Sequence, residues 1–323
     1  MKQLQSIADY NADLIEMNQY SPHQNVINYN AGGKQDRLLL GVILMVIGES
    51  LLVTMGAVIK HISDSLPITE IMFFRNFLAL IFIIPLVMRV GVGQLRTSSL
   101  GIHIQRGVFG VSAMFCMFYS FSTVKLSEAV LLKATSPIML SLIAWLVLRE
   151  KLPGMTWFAI LLAFIGVVVI ADPSELDLTI QLGFIAGIAS ALLAALAKIM
   201  VRKLGRTETP EVIIFYFAIC GSVFTLPFAV WQWQSISFTN WGFLMFIAVL
   251  ATFGQLFITK AYTVAKAGKV SIFTYLSMPI AGFLGWVIWN EEFDLPLLIG
   301  SVIVICAGLL SFYASHRSER PKS

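Results

Sequence analysis

Three charged side chains lie inside stretches of sequence that are otherwise apolar: Glu49, Arg75 and Lys133. On insertion scales a charge at the centre of a membrane-spanning helix costs roughly 2.5–3.5 kcal/mol, whereas a charge near a helix end reaches the interface at a much lower cost. Glu49 is the deepest of the three, and its carboxylate must pair with a cation, take up a proton or face a wet cavity. The sequence therefore predicts a polar cavity beside Glu49, with a purely structural ion pair or polar packing contact as the alternative.

Lys133 and Arg75 lie closer to one end of their apolar stretches, where a lysine extends part of the way to the interface. A functional role and a structural role for Lys133 therefore both stay open. Lys133 and Tyr275 each lie four residues before a proline, Pro137 and Pro279 respectively. Proline bends a helix and frees a backbone carbonyl, and matched interruptions in the two halves of a transporter point to its substrate site. Two ordinary packing kinks are the alternative.

Together these positions define a predicted substrate pocket. Its predicted members are Glu49, Arg75, Lys133 and Tyr275, with Tyr119, Gln255 and Ser277 as further lining residues. The deep charges are one negative and two positive, which favours an anionic or zwitterionic substrate. Glu49 is also a candidate acceptor for a coupling proton.

Three further charged residues, Arg106, Lys198 and Lys260, lie within about one turn of a cytoplasmic end of their apolar stretches. Long basic side chains at that depth extend to the interface. We therefore predict that these three residues reach the membrane surface or pair with loop residues.

The composition excludes a soluble protein. Of the 323 residues 58% are hydrophobic and 12% are charged, against roughly 45–50% and about 25% in ordinary globular chains. The net charge of +4 does not indicate nucleic-acid binding, because the basic residues form short clusters between apolar stretches. The three cysteines show no metal-ligand or disulfide spacing, so no metal or cofactor is predicted.

The elements that must position the polar residues are membrane-spanning helices. Apolar stretches of about 17 to 23 residues follow one another, each long enough to cross about 30 Å of hydrocarbon at 1.5 Å per residue. Because such stretches cannot leave backbone groups unsatisfied in lipid, they predict an all-α integral membrane protein. Residues 1–37 and 314–323 are predicted polar tails. The ten predicted spans are Leu38–Lys60, Glu70–Met88, His103–Thr123, Ser127–Leu148, Met155–Ala171, Ile180–Val201, Pro210–Val230, Trp241–Lys260, Val270–Trp289 and Pro296–Tyr313.

Lys and Arg residues are distributed unequally between alternate loops. With the N-terminus in the cytoplasm, most of the 22 Lys and Arg residues fall in cytoplasmic tails and loops, whereas only Lys60 and Lys125 fall in loops on the opposite side. Cytoplasmic loops carry the excess of positive charge. Both termini are therefore predicted to be cytoplasmic in a multi-pass protein of the cell inner membrane.

The sequence matches itself at one constant spacing, which we call the repeat offset. The matching pairs are Gly41 with Gly183, Pro85 with Pro227, Pro137 with Pro279, Glu150 with Glu292, and Gly166 with Gly308. Each copy contains five predicted spans, within 38–171 and 180–313. Because five is an odd number, the second copy must enter the membrane from the opposite side. Two inverted five-helix repeats are therefore predicted, which is an architecture of alternating access.

The stretch FFRN at residues 73–76, the run QRGVFGVSAMFCMFYSFSTVKLSEAVLLKATSPIML at residues 105–140 and the acid Glu150 resemble the EamA family of the drug/metabolite transporter superfamily. The resemblance covers nearly the whole chain outside the N-terminal tail. It implies helices around a central cavity that carries small metabolites across bacterial inner membranes. Lys133 stands where small or apolar residues are usual in the family, which bears on what is carried. By position, residues typical of the family are Arg75, Arg106, Pro137, Glu150, Pro279 and Glu292.

The predicted function is secondary active transport of an amino-acid-like, anionic or zwitterionic metabolite, with export favoured by the family resemblance. Uptake of a vitamin or cofactor such as riboflavin or S-adenosylmethionine is the alternative. An integral-membrane enzyme would need a catalytic cluster, and the sequence has no P-loop, GxSxG or HExxH motif. A passive channel or scaffold predicts little effect from substituting Glu49 or Lys133. The predicted partners are a small-molecule substrate, the lipid bilayer and a coupling proton, in a monomer or a homodimer.

Overall fold

The structure is a computed structural model that describes residues 38–139, 142–143, 154–171, 177–205, 207–265, 270, 272–292 and 294–318. Within these ranges the secondary structure is helical and contains no strand, so the predicted all-α class is confirmed. The predicted N-terminal tail, the family-typical Glu150, the end of the C-terminal tail and much of the second half of the predicted fourth span lie outside the described residues.

The described α-helices have the following bounds: α1 Leu38–Ile62, α2 Ile68–Val90, α3 Leu100–Thr123, α4 Leu126–Ala134, α5 Gly154–Ala171, α6 Leu178–Leu204, α7 Pro210–Trp231, α8 Phe238–Val264, α9 Ser277–Trp289 and α10 Leu295–Ser318. Two short 3₁₀-helices, Val92–Leu95 and Ile272–Leu276, precede α3 and α9. Six helices, α1, α2, α3, α6, α7 and α8, are long and apolar enough to cross a membrane. Shorter apolar helical segments cover Gly154–Ile170, Phe273–Trp289 and Leu295–Ser311.

Local sequence explains where several helices begin and which side they expose. The Asp177 side chain accepts a hydrogen bond from the Leu178 backbone N–H at 2.8 Å, which caps the start of α6. Pro210 opens α7, where its missing N–H needs no helical partner. On α2, large apolar side chains recur every three or four residues on the exposed side, as they do on helices that face lipid. They are Phe77, Ile81, Ile84 and Met88.

Helices of the first half pack against helices of the second half. The pattern of these contacts stays the same if the two halves are exchanged. At the repeat offset α1 corresponds to α6, α2 to α7, α3 to α8 and α5 to α10. α1 packs against α8, and α6 packs against α3, so these two interfaces are equivalent. α2 and α5 pack against their own counterparts α7 and α10. This is the pattern expected of two halves related by an approximate twofold axis.

Repeated glycines let the equivalent helix pairs approach closely. A Cβ atom at Gly41 on α1 would lie 2.7 Å from the Cβ of Ala265, at the end of α8. A Cβ atom at Gly183 on α6 would meet the side chain of Thr123, at the end of α3. Since Gly41 corresponds to Gly183 and Thr123 to Ala265, both halves make the same contact.

Helices that pack against their own counterparts run antiparallel. Asn76, in the middle of α2, lies against Gly221 in the middle of α7. Near the start of α2 the Thr69 hydroxyl donates to Gln232 Oε1, just after the end of α7, at 2.7 Å. Side chains near the end of α2 instead cluster with Ile214, near the start of α7. The two copies of this repeated helix therefore point in opposite directions.

Contacts between connecting segments sort the ends of the bundle into two faces. On the first, which we call face A, Lys60 of α1 donates to the Val124 carbonyl before α4 at 2.7 Å, and Asn240 at the start of α8 donates to Ser65 at 3.3 Å. Face A thus gathers the α1–α2, α3–α4 and α7–α8 connections. On the opposite face B, the Tyr216 hydroxyl of α7 donates to the Leu95 carbonyl of the α2–α3 connection at 2.6 Å. This grouping follows the loop alternation that the sequence predicts.

Candidate substrate-binding site

Glu49 and Lys133 form an ion pair inside the bundle. Lys133 Nζ of α4 donates to Glu49 Oε2 of α1 at 3.1 Å. The Glu49 side chain is 7% exposed and the Lys133 side chain 28% exposed, so the lysine forms the open side of the pair. Pairing removes much of the cost of a buried carboxylate, as expected for a charge that cannot reach either interface.

Lys198 on α6 belongs to the same site, and the prediction that it reaches the membrane surface is wrong. Lys198 Nζ donates to the Ser136 hydroxyl at 3.1 Å and interacts electrostatically with Glu49 and Lys133. The physical reason lies in the geometry of α6, which continues to Leu204 instead of ending at the predicted Val201. Side chains in a helix tilt toward its N-terminus, so Lys198 is directed back into the bundle.

Tyr262 and Thr274 are site residues that the sequence did not reveal. Tyr262, near the end of α8, interacts with Glu49 and with the side chain of Thr274 in the 3₁₀-helix. The Thr274 hydroxyl also lies 3.8 Å from the sulfur of Met45, one turn before Glu49 on α1. Their signal in the sequence was weak, because a tyrosine near a helix end is equally typical of the membrane interface.

For four further predicted pocket residues the structure gives burial and local hydrogen bonds. Tyr275 is 8% exposed and its hydroxyl, directed at Gly308 of α10, has no hydrogen-bond partner among the described residues. Ser277 is 2% exposed. The side chains of Tyr119 and Gln255 are partly buried, while their backbone carbonyls accept hydrogen bonds from Ser and Thr side chains one turn later.

The helical interruptions before Pro137 and Pro279 are built alike. α4 ends at Ala134, with a turn at Thr135, and the 3₁₀-helix gives way to α9 at Ser277. The Thr135 hydroxyl donates to the Leu132 carbonyl at 2.6 Å, and the Ser277 hydroxyl donates to the Thr274 carbonyl at 2.6 Å. The donors of these two hydrogen bonds correspond at the repeat offset, and so do the acceptors. In each half the regular α-helix is therefore interrupted two residues after Lys133 or Tyr275.

Arg75 takes part in a second polar cluster instead of contacting Glu49. Its Nη1 donates to Asn76 Oδ1 at 2.6 Å, and its guanidinium carbon lies 5.5 Å from the centre of the Phe217 ring on α7. Arg106 of α3 lies over the same ring at 3.7 Å and is 6% exposed. The prediction that Arg106 reaches the membrane surface is therefore wrong: α3 begins at Leu100, ahead of the predicted His103, which places Arg106 deeper in the bundle.

Ion pairs on face A tie the two halves together. Lys60 Nζ lies 2.6 Å from Glu291 Oε1, and the Glu291 carboxylate also accepts from the Leu126 backbone N–H. Lys125 Nζ lies 2.5 Å from Asp294 Oδ2. Partial burial disfavours the charge of Lys125, but Asp294 and the neighbouring carboxylates outweigh it and raise its pKa above the usual value. These contacts join α1 and the α3–α4 connection to the α9–α10 connection.

Face B has a different set of polar contacts. Glu208 contacts His103 Nε2 at 2.6 Å and accepts a hydrogen bond from Thr97, which joins the α2–α3 and α6–α7 connections. Lys260, at the end of α8, pairs with Glu211 at 3.4 Å, in agreement with the prediction that it pairs near the surface. Within the described ranges, no group of His, Cys, Asp and Glu side chains is arranged to hold a metal ion.

Known families and proteins are similar to this chain over most of its length. The EamA-like transporter family matches it twice, at residues 39–171 and 181–313. The Pseudopaline exporter CntI of Pseudomonas aeruginosa is 29% identical over 274 residues, covering 84% of this chain and 95% of the relative. The S-adenosylmethionine uptake transporter of Rickettsia prowazekii is 26% identical, covering 81% and 89%. The riboflavin transporter of Vibrio cholerae is 27% identical, also covering 81% and 89%.

A solved crystal structure shares the fold. It superimposes with a TM-score of 0.60 over 87% of this chain and 98% of its own, at 15% sequence identity. Likeness at this identity concerns the arrangement of the helices alone.

Proposed function

Because the chain belongs to the EamA-like transporter family, which matches both of its halves, we propose that it is a secondary transporter that moves a small metabolite across the inner membrane by alternating access. The observation that carries the proposal is the exchange pattern of the helices: the α1–α8 interface is equivalent to the α6–α3 interface, and the α2–α7 and α5–α10 interfaces are each equivalent to themselves. Two halves related in this way have two interchangeable arrangements, one open to each side of the membrane.

We further propose ten crossings in two inverted five-helix repeats, 38–171 and 180–313. The antiparallel contacts of α2 with α7 support the inversion, because equivalent helices must point in opposite directions if one repeat is inverted. α5 and α10 support it as well: Gly166 lies against Val304, while Ile170, further along α5, lies against Gly300, earlier on α10.

In the proposed orientation face B and both termini are cytoplasmic. Basic residues at helix ends and in a connection on face B support this choice through the positive-inside rule; they are Arg89, Arg96 and Lys203. The ion pairs of Lys60 and Lys125 then lie on the periplasmic side and hold face A closed in the conformation described.

The proposed substrate is amino-acid-like and anionic or zwitterionic. Glu49, Lys133 and Lys198 support it, because they offer one negative and two positive charges to a ligand held between α1, α4 and α6. Glu49 is the proposed acceptor of a coupling proton. Export is the proposed direction, supported by the relative named as an exporter. Uptake of a vitamin or cofactor remains a second candidate, supported by the relatives named as S-adenosylmethionine uptake and riboflavin transporters.

Transport is tested with purified full-length protein in proteoliposomes. We expect saturable flux of at least one metabolite from a panel of amino acids, organic acids, riboflavin and S-adenosylmethionine, compared with empty liposomes. Substitution Glu49→Gln should change this flux, whereas Glu211→Gln, which alters an ion pair on face B, should leave it near the wild-type rate. Flux that is unsaturable, or equal in all three proteins, contradicts a carrier and fits a passive channel.

A further inference from the structure

Two buried arginines meet at one aromatic ring between α2, α3 and α7. Arg75 and Arg106 are 4% and 6% exposed, and their guanidinium carbons lie 5.5 Å and 3.7 Å from the centre of the Phe217 ring. Arg75 Nη1 donates to Asn76, but Arg75 Nε, Arg106 Nε and Arg106 Nη1 have no hydrogen-bond partner among the described residues. Within the described part of the chain, these donors are therefore left without an acceptor.

The charge of this cluster lacks a neutralising partner among the described residues. Arg106 interacts electrostatically with Arg75 and with the Cys220 thiol. The ion pairs found in the described part of the chain include neither arginine. Glu208 reaches this region through His103, which it contacts at 2.6 Å and which in turn interacts with Arg106. Since a guanidinium stays protonated in proteins, two buried positive charges are strongly unfavourable until an anion joins them.

The cluster lies on the axis that relates the two halves. Arg75 and Phe217 are separated by the repeat offset and therefore occupy equivalent positions in the two repeats. They are also in contact. A residue can touch its own counterpart only close to the twofold axis, so the Arg75–Phe217 contact marks that axis between α2 and α7. A ligand bound there stays between the halves in both arrangements of an alternating-access carrier.

We propose that Arg75 and Arg106 bind a carboxylate group of the transported substrate over the Phe217 ring. This inference rests on the proposed function, adds Arg106 to the site and makes a carboxylate a requirement of the substrate. The planar guanidinium fork matches the two oxygens of a carboxylate, and the aromatic ring holds the guanidinium planes in place. The Nε and Nη1 donors are the groups that the carboxylate oxygens satisfy.

The first test measures the stability of the ligand-free protein, and needs no knowledge of the substrate. Arg106→Met replaces a buried charge with an apolar side chain of similar length, so the unfolding temperature of the protein in detergent should rise by about 2–4 °C. Lys60→Met is the matched control: it removes a lysine that has an ion-pair partner, and its unfolding temperature should not rise. A fall with Arg106→Met would show that Arg106 is a structural residue and would overturn the proposal.

The second test measures thermal stabilisation by defined probes. Amino acids and dicarboxylic acids such as aspartate and succinate are each compared with the corresponding amide. We expect at least one acid to raise the unfolding temperature of the wild type and of Lys260→Gln, with its amide inactive and with the shift lost in Arg106→Met and Arg75→Met. Equal shifts for acid and amide, retention of the shift in both arginine variants, or no shift with any carboxylate would overturn the proposal.

Flux in proteoliposomes separates this proposal from the proposed function. If transport is saturable and unaffected by Arg106→Met, the carboxylate site is wrong and the carrier stands. If carboxylates bind through Arg75 and Arg106 but no bound compound is transported, the carrier is wrong and the anion site stands.

Discussion

The carboxylate of Glu49 is held in the interior of the bundle, in contact with one cation and in the field of a second. Lys133 makes the direct contact at 3.1 Å. Lys198 is hydrogen-bonded to Ser136 and interacts electrostatically with both members of the ion pair. A purely structural ion pair needs one cation, whereas this arrangement leaves an excess of positive charge around a carboxylate. At the scale of the residue, this excess positive charge is the basis of the two proposals for the site: a substrate anion binds to the second cation, and a proton replaces the ion pair.

Glu49→Gln tests whether this carboxylate couples transport to protons. A glutamine keeps the size of the side chain but cannot take up a proton. We expect the variant to lose accumulation driven by an imposed pH gradient while it still exchanges substrate across the membrane. The measurement is radiolabelled uptake into proteoliposomes with and without the gradient, with Glu211→Gln as the control. Gradient-driven accumulation at the wild-type level in Glu49→Gln would exclude Glu49 as the coupling residue.

A double-mutant cycle between Glu49 and Lys133 measures the strength of their pairing. Lys133→Ala should cost about 1–3 kcal/mol of stability, because it removes the direct partner of a buried carboxylate while the lysine itself is partly exposed. Adding Glu49→Gln to Lys133→Ala should restore part of the loss, with a coupling of about 0.5–3 kcal/mol. The cycle is read from denaturant unfolding in detergent. Additive effects of the two substitutions would show that the contact contributes nothing to stability.

Depth along the sequence predicted the interior positions of Glu49 and Lys133, which pair in the structure, but it misjudged the positions of neighbouring basic residues. Glu49 is so far from either end of its apolar stretch that no helix boundary error changes its position, and Lys133 was found through its relation to Pro137. Arg106 and Lys198 were misplaced because each lies near a predicted helix end, where a small boundary error and the tilt of the side chain decide between the surface and the interior. Which helices pack together, and hence that Arg75 and Arg106 share Phe217, is a tertiary property that the sequence pattern does not contain.

At the scale of the elements, hydropathy predicted where the helices lie, and the internal repeat also predicted where two of them are interrupted. The apolar stretches predicted the helices, and the matched prolines predicted interruptions of the fourth and ninth spans at Pro137 and Pro279. The structure places a turn at Thr135 and a change from 3₁₀-helix to α-helix at Ser277, where a side-chain hydroxyl donates to a backbone carbonyl in each half. Proline at the next turn was the signal for these breaks. Matched interruptions of this kind give each half a point at which its helix can bend.

Gly48→Ala tests the close packing of α1 against α8. An added Cβ would lie 3.0 Å from the Gly254 carbonyl oxygen and 3.1 Å from the Ile258 backbone nitrogen. Because backbone atoms cannot move aside as a flexible side chain can, the substitution should destabilise the protein by roughly 1–3 kcal/mol. Gly101→Ala, which meets no atom within 4 Å, is the control and should be neutral or slightly stabilising. Equal unfolding temperatures for the two variants would contradict close packing of α1 and α8.

At the scale of the whole molecule, the two faces predict how the protein sits in the membrane. Ser235 on face A and Gly205 on face B are exposed positions in connecting segments. In a variant in which Cys116, Cys220 and Cys306 are replaced by alanine, Ser235→Cys should react with a membrane-impermeant thiol reagent only from the periplasmic side. Gly205→Cys should react only from the cytoplasmic side. Labelling with the opposite pattern would reverse the proposed orientation.

The polar contacts on the two faces differ chemically, so we expect the two arrangements of the proposed carrier to differ in energy. At the repeat offset Lys60 corresponds to Arg202 and Glu291 to Arg149. By sequence, the counterparts of Lys60 and Glu291 are therefore both positively charged, and the repeat supplies no equivalent of this ion pair. An identical repeat of the sequence would give the proposed carrier equal populations, and we expect these charges to favour the arrangement in which face A is closed.

Neutralising the acids of face A should shift that balance. In Glu291→Gln/Asp294→Asn, two partly exposed ion pairs are lost, each worth about 0.2–1 kcal/mol, so the population open at face A should rise by roughly two- to thirtyfold. The readout is the rate at which Ser136→Cys, beside Lys198, reacts with an impermeant thiol reagent from the periplasmic side, in a background without native cysteines. The control Glu211→Gln, on face B, should not accelerate this labelling. An unchanged rate in the double variant would show that the ion pairs of Lys60 and Lys125 do not hold face A closed, and that its closure depends on the packing of the helices alone.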